Sequence, residues 1–345
     1  MPEFSSVSIL KSSANALEHW YERNKRNMPW RLTKEPYKIW LSEIILQQTR
    51  VEQGLPYYLA FLEPFPTVHD LAKAEEDTVL RVWQGLGYYN RARNLHKTAK
   101  IISKEHKGVF PVTYDSLLLL PGIGPYTAAA ISSICYEEEV PVIDGNVQRL
   151  ISRHFLVEER IDSGAGSKAL RSIAESWIQG RTPSRFNQAM MELGALICSP
   201  KSPSCETCPL NETCLALRED KVFKLPKKKA KKAVRERHLI YHVHRFKGKT
   251  LLVKRGTDDV WAGLYEWPSE ECNATAQKKI KKAFAKKQQF EIKHILSHQH
   301  IHALFILHLE ALPKKVEGGQ EVGWNSLDDY PMSRLMTRFL ELYLL

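Results

Sequence analysis

Apolar positions change their period once along this chain. From residue 8 to about residue 215 they recur at three and four, as in Ile39, Trp40, Ile44, Leu46 and Val51, and again in Leu71, Val79, Val82 and Trp83. That spacing predicts helices. Breakers punctuate them at Pro56, Pro64, Pro66, Gly85, Gly87, Pro111, Pro121 and Pro125. From about residue 234 the pattern becomes strand-like, in His238-Leu-Ile-Tyr-His-Val-His-Arg, Leu251-Leu-Val-Lys-Arg and His302-Ala-Leu-Phe-Ile-Leu-His-Leu. A Lys- and Ala-rich helix is predicted between them, near Gln277 to Gln289. The change of texture divides the chain into an all-α domain over 1–221, a basic linker over 222–233 and an α+β domain over 234–345. The linker begins Phe223-Lys-Leu-Pro-Lys-Lys-Lys-Ala-Lys-Lys-Ala and reads as a solvated tether.

Composition narrows the class. Net charge is +11, and a chain this basic is attracted to polyanions. No apolar run reaches membrane length, and Met1-Pro-Glu-Phe-Ser-Ser-Val-Ser carries no targeting pattern. A bacterial cytoplasmic protein without membrane contact is therefore expected. Four of the six cysteines form one run, Cys198, Cys205, Cys208 and Cys214, spaced C-x6-C-x2-C-x5-C. The loop over 198–214 is rich in Pro and Ser and needs an inorganic staple to hold a shape. Structural zinc and disulfides are the alternatives. The long first gap and five-residue last gap suit a [4Fe–4S] cluster better. Only Cys135 and Cys272 lie elsewhere, which fits a reducing compartment.

Two further motifs carry chemistry. Leu117-Leu-Leu-Leu-Pro121-Gly122-Ile123-Gly124-Pro125-Tyr126-Thr-Ala-Ala-Ala-Ile reads as helix, tight turn, helix, within 117–134. Two glycines allow unusual dihedrals, and Pro125 suits the first helical position. Backbone N–H groups at Gly122, Ile123 and Gly124 then hold a phosphate without reading base sequence. A bare turn is the plainer reading, but the full string resembles the helix-hairpin-helix of DNA repair glycosylases. About twenty residues on, Asp144 stands between Val140-Pro-Val-Ile and Gly145-Asn146-Val. It reads as a helix N-cap, and those glycosylases place an essential Asp at this distance. Glu43 sits in Ile39-Trp-Leu-Ser-Glu-Ile-Ile-Leu46-Gln-Gln48, a helical stretch with few other charges. Apolar surroundings raise a carboxyl's proton affinity, which suits a general acid, while a better solvated Asp144 stays ionised. Glycosidic cleavage uses such a pair.

Together, these motifs resemble the MutY-type adenine DNA glycosylases of the endonuclease III superfamily. The resemblance rests on Pro29-Trp30-Arg31, Trp40-Leu-Ser-Glu-Ile-Ile-Leu-Gln-Gln-Thr, Trp83-Gln-Gly-Leu-Gly-Tyr88-Tyr89-Asn-Arg-Ala-Arg, the hairpin, Val142-Ile-Asp-Gly-Asn-Val and the cysteine run. It implies base excision repair of double-stranded DNA holding adenine opposite 8-oxoguanine or guanine, by a monomer that associates with the nucleoid when bound. It also implies that Glu43 protonates the base and that Asp144 stabilises the sugar cation, supported by Tyr126 and Asn146. Trp30, Arg31 and Leu46 would line the adenine pocket, and Gln48 and Tyr88 would wedge into the duplex. Endonuclease III relatives carry a nucleophilic Lys where this hairpin has Tyr126, so a monofunctional enzyme is implied. Val260-Trp-Ala-Gly-Leu-Tyr-Glu-Trp-Pro268 is similar to the Nudix-like domain of the same family, without the acidic run that binds metal. Leu296-Ser297-His298 corresponds to that family's Phe-Ser-His loop, and Ser297 and His298 would read 8-oxoguanine. A bifunctional pyrimidine-lesion glycosylase and a non-catalytic mismatch-binding module are the rival readings.

Overall fold

Residues 6–230, 233–257, 259–313 and 315–344 are described by a computed structural model. The extreme N-terminus, and Lys231 and Lys232 of the expected linker, lie outside the described residues. The helices run in order as α1 (Ser6–Asn24), α2 (Pro36–Leu46), α3 (Val51–Leu62), α4 (Val68–Lys73), α5 (Glu76–Val82), α6 (Asn90–Glu105), α7 (Tyr114–Leu118), α8 (Pro125–Tyr136), α9 (Gly145–His154), α10 (Gly164–Ile178), α11 (Pro183–Leu196) and α12 (Leu215–Arg218). The chain divides into two compact units, one of residues 1–48 and 101–230, the other of 49–100 and 231–345.

In the first unit α2 is buried on nearly every side, from Tyr37 and Ile39 through Ile45, which suits a helix apolar all round. It packs on α8, whose buried Ala128, Ala129 and Ala130 permit close approach. α11 buries Phe186, Ala189, Met190 and Leu193, a three-and-four spacing, against α9. Three helices, α2, α8 and α11, start with proline at the first or second position and no side-chain cap. Proline spends no N–H there and presets the backbone.

The start of the expected tether is not solvated. Val222 and Leu225 are buried with Ala216 beside Cys205 and Cys214. Leu225 O accepts from Arg153 Nε at 3.1 Å, Lys227 O accepts from Ile161 N at 3.0 Å, and Lys229 N donates to Asp162 at 2.8 Å. Two apolar side chains among the lysines are enough to dock the segment.

The second unit contains β1 (Arg235–His244), β2 (Lys249–Lys254), β3 (Tyr265–Glu266), β4 (Ser269–Cys272), α13 (Ala274–Ala283), β5 (Gln289–Ile295), β6 (Gln299–His308), β7 (Gly319–Gly323) and α14 (Arg334–Leu344). One sheet has the order β4-β1-β6-β5, with β1 and β6 parallel, and a second has the order β3-β2-β7. Ile240, Leu304 and Ile306 face Ile280 and Phe284, at the C-terminal end of α13. Phe305, one position along, stacks on Phe339 of α14 at 4.3 Å between centroids. Covered on both faces, β6 reads as a near-continuous apolar run. The Lys-rich helix ends at Ala283, earlier than expected, because Gln289 already pairs with Ile306 as a strand residue.

Residues 49–100, read from the sequence as part of the helical domain, pack in one unit with the C-terminal third. Asp77 accepts from Lys254 at 2.7 Å and from Tyr265 OH at 3.1 Å, Met332 N donates to Gln84 at 3.0 Å, and Arg93 donates to Ala262 O. Among the described residues no helix is long and apolar enough to cross a membrane.

Gly194 of α11 lets that helix approach α9. A Cβ there would stand 2.8 Å from both the carbonyl oxygen and the Cβ of Asn146, whereas one at Gly164 meets nothing within 4 Å. Gly194→Ala is expected to lose about 1–3 kcal/mol of stability in denaturant titration, and Gly164→Ala to lose little. Equal effects of the two substitutions would remove the close-packing argument.

Candidate active site and cysteine cavity

Glu43 is buried at 7% exposure on α2 and accepts a hydrogen bond from Tyr126 OH on α8. Burial pushes its carboxyl up to about 7, opposed by the Tyr126 hydrogen bond and assisted by the charge of Asp144. The phenol is in turn raised well above its ordinary value, first by burial and then by the Glu43 charge. The charge of Asp144 thus reaches Glu43.

Asp144 caps α9. Its Oδ1 accepts from Asn146 N at 2.9 Å and Val147 N at 2.7 Å, and its Oδ2 accepts from Asn146 Nδ2 at 2.7 Å. The plain N-cap reading is correct. Asp144 is more open to solvent than Glu43, as expected, but it is not freely solvated. It is half-buried, and burial raises its carboxyl above the ordinary value against these donors and Arg149. N–H groups at a helix start, rather than water, are what favour the anion here.

Arg31 lies on a 3-10 turn with the buried Trp30. Its guanidinium is engaged: Nη1 donates to Arg26 O and Glu192 Oε1, both at 2.9 Å, and Nη2 to Glu192 Oε2 at 2.8 Å. Glu192 is 1% exposed. Burial pushes its carboxyl up, but Arg26 and Arg31 outweigh that and hold it at about 2. The sequence reading missed Glu192. Its only signal was a lone acid in the apolar run Met190-Met191-Glu192-Leu193, the same context that singled out Glu43. Leu46 is half-buried three residues beyond Glu43 and so lies on the same side of α2.

Gln48 and Tyr88 are both exposed and both hold left-handed backbones, with φ of 58° and 49°. Gln48 belongs to the first unit and Tyr88 to the second. In the second unit Tyr88 OH donates to Ser297 Oγ at 3.0 Å. Ser297 and His298 form the exposed turn between β5 and β6, closed by Leu296 N to Gln299 O at 2.9 Å. At the hairpin, Gly122 has φ of 76° and Gly122 and Gly124 are exposed, ahead of the uncapped start of α8. Ile123 departs from the expected phosphate cradle: its side chain is buried and its N–H donates to Leu120 O at 3.1 Å.

All four cysteines of the run line one cavity, together with Arg153 and His154. None is in a disulfide, which removes that alternative. Burial raises the Cys208 thiol to about 12 and lifts Cys205 and Cys214 as well. Arg153 Nη1 donates to Cys198 Sγ at 3.5 Å. Among the described residues no three His, Cys, Asp or Glu are arranged to hold a single metal ion. His154 is 1% exposed, and neither ring nitrogen has a partner. An orphaned buried polar group costs about 1–3 kcal/mol. The sequence gives no sign of this, since a histidine ending a helix reads as a solvent-facing C-terminal residue.

Glu43 has a stability consequence that is independent of catalysis. Its proton affinity is raised on folding, so it stabilises the fold below about pH 4.5 and loses that contribution as pH rises through about 7. The span is worth about 3 kcal/mol. Glu43→Gln is expected to raise stability relative to the parent at pH 8, with the gap closing near pH 4.5. Denaturant titration at both pH values checks this, and a pH-independent difference would refute it.

Residues 41–177 match the model of the HhH-GPD superfamily base excision DNA repair proteins, and residues 239–342 match that of the NUDIX domain. The adenine DNA glycosylase of Buchnera aphidicola subsp. Schizaphis graminum is 35% identical over 294 residues, covering 84% of each chain. A solved thermostable thymine-DNA glycosylase superposes with a TM-score of 0.55 at 27% identity, over 61% of this chain and 97% of its own. Endonuclease III in a non-covalent DNA complex shares the fold, with a TM-score of 0.54 at 19% identity over 63% of this chain and 99% of its own. With a helical glycosylase core carrying the hairpin and a sheet-containing Nudix-like C-terminal domain, the chain belongs to the MutY-type adenine DNA glycosylases, which hydrolyse N-glycosidic bonds in base excision repair.

Proposed function

We propose that the enzyme removes adenine opposite 8-oxoguanine, and more slowly opposite guanine, by acid-assisted hydrolysis without strand cleavage. The observation that carries this reading is the coupling of the buried Glu43, raised to about 7, with an Asp144 surrounded by N–H donors. Glu43 gives its proton to N7 of the extruded base, so adenine leaves as a neutral molecule. As the N-glycosidic bond breaks, positive charge develops on the sugar, and the Asp144 carboxylate stabilises it until water adds at C1′. Tyr126 orients Glu43 through its hydroxyl, and Asn146 orients Asp144 through its amide. Positioned acid catalysis is worth roughly 10² to 10⁴ in rate.

Trp30, Leu46 and the Arg31–Glu192 pair form the walls of the adenine pocket. Gln48 and Tyr88 wedge into the duplex, offsetting the few kcal/mol that base flipping costs. Gly122, Gly124 and the start of α8 hold a phosphate. Ser297 and His298, polar and exposed on a tight turn, read the oxidised purine. A phenol at position 126 forms no imine, which favours hydrolysis alone. Both carboxylates lie in one unit of one chain, so no second copy is needed.

The cysteine run is proposed to hold a [4Fe–4S] cluster. A zinc ion needs its sulfurs about 2.3 Å away around one point. Here the four thiols ring a cavity, which suits a polynuclear centre. Cationic iron would offset the penalty of burying thiolates and hold the loop in shape.

The test is base release from A:8-oxoguanine, A:G and thymine-glycol duplexes. Adenine release is expected to be fastest from the first, with no adduct trapped by borohydride and with the rate falling as pH rises above about 7. Glu43→Gln and Asp144→Asn are each expected to lose at least about 10² in rate. Release from thymine glycol alone, or a full rate in either variant, would overturn the reading.

A further inference from the structure

His154 is the feature the reaction leaves unused. It is 1% exposed, both ring nitrogens lack a partner, and it lines the cavity shared by Cys198, Cys205, Cys208 and Cys214. Trp177 stacks on one face at 5.5 Å with an interplanar angle of 13°, and Phe155 meets the ring edge-on at 4.5 Å. The imidazole plane is thus fixed by aromatic packing. Phenylalanine would satisfy that packing without burying two polar atoms. Buried polar groups without partners are rare, and those that persist point to an ion or ligand that completes them.

The neighbouring cation does not need such a partner. Arg153 already donates to Leu225 O, Ser199 O and Pro200 O as well as to Cys198 Sγ. His154 brings to the cavity wall a buried donor that has no partner. We propose that His154 donates an N–H hydrogen bond to a sulfur of the iron–sulfur centre held by the four cysteines, and that this bond raises the centre's reduction potential. The inference rests on the cluster reading above. A donor to sulfur favours the reduced state, which carries more negative charge. His154 is a positioning residue and touches no substrate.

The experiment compares the full-length protein with His154→Phe, which keeps a stacking ring, and His154→Gln, which keeps an N–H. All are purified anaerobically and assayed for iron and acid-labile sulfide. The DNA-bound proteins are then titrated for midpoint potential. The Phe variant is expected to retain iron and to become harder to reduce by about 59 mV, a tenfold change in the one-electron ratio. The Gln variant is expected to recover part of that shift. In parallel, electron–nuclear double resonance on wild-type protein labelled with ¹⁵N-histidine is expected to detect one nitrogen coupled to the paramagnetic centre, so a variant that fails to fold does not block the test. An iron-loaded Phe variant with unchanged potential, or wild type with no coupled nitrogen, overturns the hydrogen bond. A wild-type protein with zinc or no iron instead overturns the cluster reading, and the His154 inference with it.

Discussion

Removal of the Glu43 carboxyl from water is the constraint on which the site depends. α2 is apolar on nearly every side, so a carboxyl on it has no solvated face to turn to. One phenol hydroxyl is its hydrogen-bond partner, which is too little to favour the anion. Glu192 provides the internal control. It is buried more deeply, on α11, yet two guanidiniums hold it at about 2 while Glu43 sits at about 7. The same side chain, buried in both places, is held as an anion or has its proton affinity raised according to its partners. Arg31 is hydrogen-bonded to Glu192 and lowers Glu43 only through space, so Glu43 keeps its raised proton affinity.

A chain of hydrogen bonds ties Asp144 to the cysteine loop. Asn146 donates to Asp144, Arg149 Nη2 donates to Asn146 Oδ1 at 2.9 Å and to Gly194 O at 2.6 Å, and Arg149 Nε donates to Cys198 O at 2.6 Å. Arg149 is a buried cation held mainly by carbonyl oxygens of α11 and of the first cysteine. The loop's carbonyl fixes the guanidinium that orients the amide that orients the Asp144 carboxylate. Withdrawal of one carbonyl would leave a buried charge partly unpaired, so the proposed centre would also steady Arg149.

The sequence made the local features legible and left the long-range ones hidden. Glu43 and Asp144 stand out as an acid in an apolar helical run and an acid before Gly-Asn, but locally they read as a surface residue and a helix cap, and the family resemblance is what pairs them. The four cysteines are grouped by their spacing, which left more than one centre open. The partner of Arg31 was not legible, since Glu192 lies 161 positions away and nothing local links them. The docked start of the linker was masked by charge, because Val222 and Leu225 are few among lysines although they decide where it packs. β5 was missed because Gln289-Phe-Glu-Ile-Lys-His-Ile carries the alternation of a half-exposed strand, whereas β6 announces itself by being covered on both faces.

Gln48 and Tyr88, the residues proposed as wedges, share a property that sequence does not encode. Left-handed backbones at non-glycine residues cost about 1–3 kcal/mol and persist only where the surroundings enforce them. Tyr88 is enforced on several sides. Gly85 and Gly87 before it have φ of 100° and 71°, Trp83 Nε1 donates to Gly87 O at 3.0 Å, and Arg91 lies 5.7 Å from the Tyr88 ring. Its hydroxyl is further tied to Ser297. An aromatic ring held exposed at 46% by this framework loses little additional freedom on entering a base stack. The strain is met once, by the folded unit, rather than at each encounter with DNA. A flexible loop carrying the same tyrosine would have to order itself each time a base is extruded.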